Sequence, residues 1–196
     1  MRIIDISQEV LSCRVFPGDD SPKGPLVKSM ADGELYNLSM IDMCAHNGTH
    51  VDAPFHFINE GKTIDKMPLD SFVGLCYVAR CEGDVTASDA SRIIEKAKAA
   101  SAAERILIAG DVTVTLEAAE LFAKAGLKLL GNESQTVGPV DAPMAVHKAL
   151  LGKEVVLLEG VTLEGVAEGK YFLSAAPLNF AGFDGAPCRA YLVEIE

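Results

Sequence analysis

The chain has 196 residues, of which 49% are hydrophobic and 23% are charged, a composition typical of a globular domain that is long enough to bury a core. We expect one domain over residues 1–196. The formal net charge of −11 leaves no basic patch, so we expect neither nucleic acid nor an anionic membrane as a partner.

Targeting and redox signals are weak in this sequence. No stretch approaches the roughly 20 apolar residues that span a bilayer, and the first residues lack the layout of a signal peptide. The five cysteines are scattered, which argues against a disulfide framework and against a thiolate zinc site. We therefore expect a cytoplasmic protein.

The first half of the chain predicts an opening strand over residues 3–6, followed by a loop over 16–25 that is rich in proline and glycine. An extended segment is expected over residues 35–45 and a strand over 75–81. Thr86 and Asp89 have the spacing of a capping box, and apolar residues then recur at helical period. This pattern predicts a helix over residues 86–100.

The second half alternates between the two periodicities. Strands are predicted over residues 106–109, 127–130, 155–158, 171–176 and 189–195, and helices between 115 and 126 and over 143–151. Such alternation predicts the α/β class. We expect mixed sheets, because the N-terminal strands arrive without intervening helices.

Residues 46–56 hold three of the four histidines and one carboxylate: His46, His50, Asp52 and His56. These positions share parity, so an extended chain would point all four side chains to one face. Imidazole and carboxylate together suit a divalent cation such as Zn²⁺ or Mn²⁺. The alternative is that the imidazoles only form hydrogen bonds, but their clustering favours the metal.

A common metal site requires the chain to bend between the first two histidines. A straight strand would separate His46 from His50 by about 13 Å, whereas Zn–N bonds are about 2 Å long. Gly48 can adopt the unusual backbone angles of a bend, and Pro54 can redirect the chain before His56.

Two residues far downstream complete the candidate set. His147 lies on a predicted helix, and Glu159 ends a predicted buried strand. Taken alone, His147 would be a core histidine and Glu159 a carboxylate at a strand end. A buried, unpaired charge is costly, and a metal ion would remove that cost for both residues.

These residues resemble the cyclase-like metal hydrolases, a family that includes bacterial kynurenine formamidase and isatin hydrolase. The resemblance runs from Phe16-Pro-Gly-Asp through the histidine-rich run at 46–57 to the residues around 147, 159 and 184–190. It implies a swivelling β/β/α domain that assembles as a homodimer or homotetramer.

The resemblance also implies roles for individual residues. One ion would be held by His46, His50, Asp52 and Glu159, and a second by Asp52, His147 and Glu159, with Asp52 and Glu159 bridging the two. His56 would transfer protons rather than bind metal. Phe16 would contact substrate, at a position where formamidases usually carry tryptophan.

The expected function is hydrolysis of a C–N bond in a small formamide, amide or lactam-like substrate, through a water activated by a divalent metal, Zn or Mn, with two ions bound. Two alternatives stay open. One is a non-catalytic metal-binding scaffold protein. The other is a metal-assisted cyclase or dehydratase that uses the same residues.

Overall fold

The computed structural model of the protein describes residues 1–195. Its strands, numbered in chain order, are β1 (Ile3–Asp5), β2 (Leu26–Lys28), β3 (Leu38–Ser39), β4 (His50–Asp52), β5 (Val73–Arg80), β6 (Gly83–Val85), β7 (Arg105–Ala109), β8 (Val112–Val114), β9 (Leu129–Asn132), β10 (Val156–Glu159), β11 (Gly169–Ser174), β12 (Gly185–Pro187) and β13 (Tyr191–Glu194). Its α-helices are α1 (Ala87–Ala99), α2 (Leu116–Lys124) and α3 (Met144–Leu151).

One large mixed sheet organises the fold. Nine strands lie in the order β1-β13-β11-β5-β7-β9-β10-β4-β12. The central strands β5, β7, β9 and β10 run parallel, and the flanking strands pair in antiparallel fashion. The prediction of an α/β fold with mixed sheets is confirmed.

The predicted helices and strands are present, with shifted ends. Helix α1 begins behind a capping box, in which the Thr86 hydroxyl accepts from the Asp89 amide at 3.2 Å and the Asp89 carboxylate accepts from the Thr86 amide at 3.2 Å. The largest difference lies in the segment 35–45, where only Leu38–Ser39 forms a strand. This strand pairs with β2 in a separate two-stranded ribbon.

Alternation along the strands builds two cores, one on each face of the sheet. On β7, Ile106 and Ile108 pack among the helices, whereas Leu107 and Ala109 pack into a second core on the opposite face. The central strands are therefore covered on both faces, as parallel strands usually are.

The sheet curls until its two edge regions meet. The segment that follows β1 bridges them, because the Ile6 amide donates to the Ala190 carbonyl at 3.0 Å and the Ile6 carbonyl accepts from the Thr162 amide at 2.9 Å. The next residue but one, Gln8, donates its amide to the Thr49 hydroxyl beside β4 at 2.9 Å.

The same alternation decides where the candidate site lies. Val51 packs in the second core, on the face of the sheet away from the helices. Its neighbours His50 and Asp52 therefore point to the face that the helices cover. On the adjacent strand, Leu157 packs on the helical face, and Glu159 shares its parity. None of the helices within residues 1–195 is both long and apolar enough to cross a membrane.

Candidate metal centre

Three elements bring the candidate ligands together. Strand β4 pairs with β10 so that His50 lies opposite Glu159, and α3 holds His147 above them. The His50 Nε2 atom lies 3.4 Å from Asp52 Oδ1 and 3.5 Å from Glu159 Oε2. The His147 Nε2 atom lies 3.3 Å from Glu159 Oε1 and 3.7 Å from Asp52 Oδ2. All four residues are buried.

Backbone carbonyls orient two of the imidazoles. The Nδ1 atom of His50 lies 3.0 Å from the Gly48 carbonyl, and the Nδ1 atom of His147 lies 2.9 Å from the Pro143 carbonyl. A carbonyl only accepts, so each Nδ1 carries a proton, and each Nε2 faces the carboxylates, where its lone pair becomes free for a cation once any proton on Nε2 is released. Metal-binding histidines are commonly oriented in this way.

The donor atoms fit a divalent cation. Asp52 Oδ2 is buried and has no hydrogen-bond partner among residues 1–195, although buried carboxylate oxygens are normally paired. One candidate group joins His50, Asp52 and Glu159, and another joins His46, Asp52 and His56, each with donor atoms within 4.8 Å of one another. The second group includes His56, which the resemblance excludes from the ligands.

His46 lies between two carboxylates. Its Nδ1 is 2.9 Å from Asp52 Oδ1, and its Nε2 is 2.9 Å from Asp184 Oδ2. The expected bend before β4 is present, because Gly48 has a φ of +66°. Gly185 leaves room for the ring, since a Cβ there would lie 2.7 Å from His46 Cε1.

The carboxylates raise the affinity of the imidazoles for protons. Burial alone would lower the pKa of each imidazole, but the carboxylates of Asp52 and Asp184 outweigh burial and raise the pKa of His46 to about 11. Asp52 and Glu159 likewise overcome burial and raise the pKa of His50 to about 9. Burial alone would raise the pKa of Asp52, but His46 and His50 hold it well below the usual range. A cluster that attracts protons so strongly also attracts metal cations.

His56 is the most exposed histidine, with 28% of its side chain accessible. It lies on a 3-10 turn over Pro54–His56, which Pro54 begins. Its ring stacks on His46 at a centroid distance of 4.1 Å, and its Nδ1 lies 2.9 Å from Asp184 Oδ2. Its position at the mouth of the cluster suits exchange of protons with a bound molecule.

A cavity of about 380 Å³ opens beside the cluster. Its lining includes the apolar rings of Phe16 and Phe57 and the polar side chains of His56, His147 and Glu159. The Phe57 ring also packs against His147 at a centroid distance of 4.5 Å. The early loop thus reaches the candidate site.

The structure brings together every residue that the sequence predicted for the site: His46, His50, Asp52, His56, His147, Glu159 and Phe16. Sequence reasoning missed the contacts of Asp184, which lies 128 positions from His56. The only available signal was that Asp184 begins the last stretch of the family resemblance.

Buried histidines and carboxylates that converge beside a cavity, on the helical face of a curled mixed sheet, define a class of metal-binding α/β proteins. Comparison with known proteins identifies the family within this class. Residues 4–139 match the family model Cyclase, described as "Putative cyclase". The chain belongs to this cyclase family, which confirms the resemblance seen in the sequence.

Two relatives align with nearly the whole chain. It is 33% identical over 206 aligned residues to a kynurenine formamidase of Salinibacter ruber, which covers 98% of this chain and 97% of that relative. It is 32% identical to a kynurenine formamidase of Erythrobacter litoralis, with coverage of 99% and 94%.

Solved structures share the fold. A structure described as a potential metal-dependent hydrolase with cyclase activity is 25% identical, has a TM-score of 0.84, and matches over 100% of this chain and 98% of that one. Isatin hydrolase A of Labrenzia aggregata, bound to benzyl benzoate, has a TM-score of 0.82 at 20% identity, over 100% and 94% of the two chains. The latter shows similarity of fold alone.

Proposed function

We propose that the protein is a metal-dependent amidohydrolase that cleaves a C–N bond of a small formamide, amide or lactam-like substrate. The main support is the buried Asp52 oxygen that has no hydrogen-bond partner among the described residues and lies among the His50, His147 and Glu159 side chains. The cavity beside this cluster is also lined by His56. The kynurenine formamidase relatives, at 33% and 32% identity, support this reaction class.

We assign a divalent metal, Zn or Mn, to the cluster as two ions. His46, His50, Asp52 and Glu159 would hold one ion, and Asp52, His147 and Glu159 the other. A bound divalent ion lowers the pKa of a water ligand toward about 7 and polarises a carbonyl group. Asp52 and Glu159 would belong to both ligand sets. Each of these carboxylates places both of its oxygens near an imidazole nitrogen.

His56 moves the protons in this proposal. The attacking water gives one proton to His56 as its oxygen bonds to the substrate carbonyl carbon. His56 then delivers that proton to the nitrogen as the C–N bond breaks, which leaves a carboxylic acid and an amine. An imidazole ring can both accept and give up a proton, and such catalysis contributes about 10²–10⁴-fold.

Phe16 and Phe57 favour a substrate with a flat apolar part. Both rings line the cavity, and its volume of about 380 Å³ suits a small molecule rather than a polymer. A phenylalanine presents a smaller surface than the tryptophan usual in formamidases. We therefore expect Phe16 to contact the substrate and to favour a compact one.

The cavity bears on the choice between an enzyme and a scaffold. Structural zinc sites are usually closed by four side chains, whereas catalytic sites keep a position open. Here the second ion would have only Asp52, His147 and Glu159 as side-chain ligands, and His147 and Glu159 line a cavity that leaves room for water and substrate. This arrangement favours the hydrolase over a non-catalytic metal protein.

The test is a substrate panel with metal analysis. Protein stripped of metal is reloaded with Zn²⁺ or Mn²⁺ and assayed with aryl formamides, small amides, lactams and esters, with the Glu164→Gln variant as a surface control. We expect metal-dependent release of amine and acid. Bound metal without turnover of any compound would favour the scaffold, and loss of water from a substrate would favour the cyclase or dehydratase.

We also propose that the protein assembles as a homodimer or homotetramer. The β2–β3 ribbon, here residues 26–40 with the connecting segment included, exposes large apolar side chains: Leu26, Val27, Leu35, Tyr36, Leu38 and Met40. A two-stranded ribbon is marginally stable alone, and large exposed apolar patches mark interfaces. The ribbon continues into Ile41 and Met43, which line a cavity of about 880 Å³ with Phe180 and Phe183.

Light scattering coupled to gel filtration tests the assembly. We expect Leu38→Asp to shift the wild-type oligomer toward monomer, because a charge in an apolar interface is costly to desolvate. The control Leu69→Asp changes another exposed leucine outside the ribbon. A monomeric wild type, or equal effects of both variants, would overturn the assembly proposal.

A further inference from the structure

One carboxylate oxygen outside the candidate ligand set contacts two histidines. The Oδ2 atom of Asp184 lies 2.9 Å from His56 Nδ1 and 2.9 Å from His46 Nε2. Since the carboxylate only accepts, both nitrogens donate to it when the carboxylate is ionised. The two rings stack beside it at a centroid distance of 4.1 Å, so one oxygen serves both edges of the pair.

The backbone fixes this carboxylate in place. Asp184 immediately precedes β12, and Gly185 pairs with Asp52 on β4. The Asp184 carbonyl accepts from the Ala53 amide at 2.8 Å, and the preceding Phe183 carbonyl accepts from the Ile64 amide at 2.9 Å. Two hydrogen bonds to the chain around His56 therefore hold the short aspartate side chain at a defined distance from the imidazole.

The contact also selects a tautomer. With Nδ1–H donating to Asp184, the lone pair of His56 lies on Nε2, at the other end of the ring. His56 lines the cavity, so Nε2 is the nitrogen left to act on a bound molecule. A histidine without such a partner divides between two tautomers, of which only one presents a base on that side.

We propose that Asp184 is a positioning residue for the hydrolysis described above: it holds the His56 ring in the Nδ1–H tautomer, so that Nε2 can accept and return the proton. This inference rests on the proposed function. It assigns Asp184 no contact with substrate. It distinguishes Asp184 from the candidate metal ligands, although the same oxygen also touches His46.

Kinetics of four proteins test the proposal: wild type, Asp184→Asn, His56→Ala and the double variant. An amide can donate to imidazole and stabilise the wrong tautomer, so we expect Asp184→Asn to lower kcat about 10²–10³-fold, with KM within about threefold. Zinc content should match wild type. In the His56→Ala background, we expect Asp184→Asn to change kcat by less than about threefold, because residues that act as a unit are not additive.

Two further variants guard the interpretation. Asp184→Glu keeps the carboxylate, and we expect it to regain part of the kcat that Asp184→Asn loses. Glu60→Gln removes one negative charge from an exposed side chain four positions after His56 and should leave kcat unchanged. Loss of zinc from Asp184→Asn would assign the carboxylate to the support of His46, and additive effects in the double variant would separate it from His56; either result overturns the proposal.

A spectroscopic readout does not need turnover. In zinc-loaded protein labelled with ¹⁵N-histidine, long-range ¹⁵N–¹H correlation reports which ring nitrogen carries the proton, and His56→Ala identifies the signals of His56. We expect Nδ1–H in the wild type and a rise of Nε2–H in Asp184→Asn. An unchanged tautomer would overturn the positioning role. A wild type that hydrolyses nothing would overturn the proposed function instead, and the spectra would still test Asp184.

Discussion

Two regions of this molecule break the usual distribution of polar and apolar residues in opposite ways. Between β4, β10 and α3, two histidines and two carboxylates are buried. On the β2–β3 ribbon, leucines and a tyrosine are exposed, with Leu35 reaching 89% exposure. Each arrangement costs free energy unless something further is supplied: a cation for the buried acids, and apolar surface for the ribbon.

The two regions should therefore respond to different perturbations. Substitutions in the buried cluster should change metal content and turnover while leaving the association state unaltered. Substitutions in the ribbon should do the reverse. A variant that changes both properties would show that assembly completes the site.

The largest expected effect comes from the carboxylate with the unpaired oxygen. Asp52→Asn removes the negative charge that touches three imidazoles, and we expect loss of bound metal and a fall in kcat/KM of about 10⁴-fold or more, since water without a metal has a pKa near 16. Metal analysis by mass spectrometry and the amide assay measure the two effects. Full metal content in Asp52→Asn would contradict the ligand assignment.

His56→Ala should separate chemistry from metal binding. We expect kcat to fall about 10²–10⁴-fold, the usual contribution of a general acid–base group, while metal content stays near wild type. The second cluster of donors makes this a sharp test, because it groups His56 with His46 and Asp52. Metal loss in His56→Ala would make it a ligand and not the proton-transferring residue.

Metal affinity should rise with pH. In the metal-free protein the carboxylates raise the pKa of His46 to about 11 and of His50 to about 9, so both imidazoles hold protons at pH 7. Metal coordination must release those protons. At pH values below the pKa of each imidazole, metal affinity should therefore rise by about tenfold per pH unit for each proton released. Chelator competition at pH 6, 7 and 8 measures the slope, and an affinity independent of pH would contradict this account.

The free energy of unfolding should respond differently to substitutions in the core and in the ribbon, and these effects are smaller than those on metal content and turnover. Phe122 is fully buried on the helical face of the sheet, and Phe122→Ala should cost about 3–5 kcal/mol of unfolding free energy. Leu35→Ser should cost less than about 0.5 kcal/mol in the monomer, because the side chain is almost fully exposed. Urea unfolding at low protein concentration measures both, and a large loss in Leu35→Ser would show that the ribbon is part of the folded core.

Local spacing determined much of the candidate site. Four functional side chains lie within residues 46–56, so composition and parity over one short segment indicate metal binding. The requirement for a bend pointed to Gly48, and its φ of +66° confirms it. The start of α1 was equally local, since Thr86 and Asp89 lie three residues apart and satisfy each other's backbone amides.

The contacts between distant segments of the site depend on tertiary structure. The register between β4 and β10 sets Glu159 opposite His50, and the pairing of β12 with β4 carries Asp184 to His46 and His56, across 138 and 128 positions of chain. Strand register and sheet curl depend on how distant segments bury their apolar faces together, which no short window of sequence contains. Sequence alone therefore indicated which residue types could hold a cation, whereas the folded sheet placed the Asp184 carboxylate beside His56 at the mouth of the cluster.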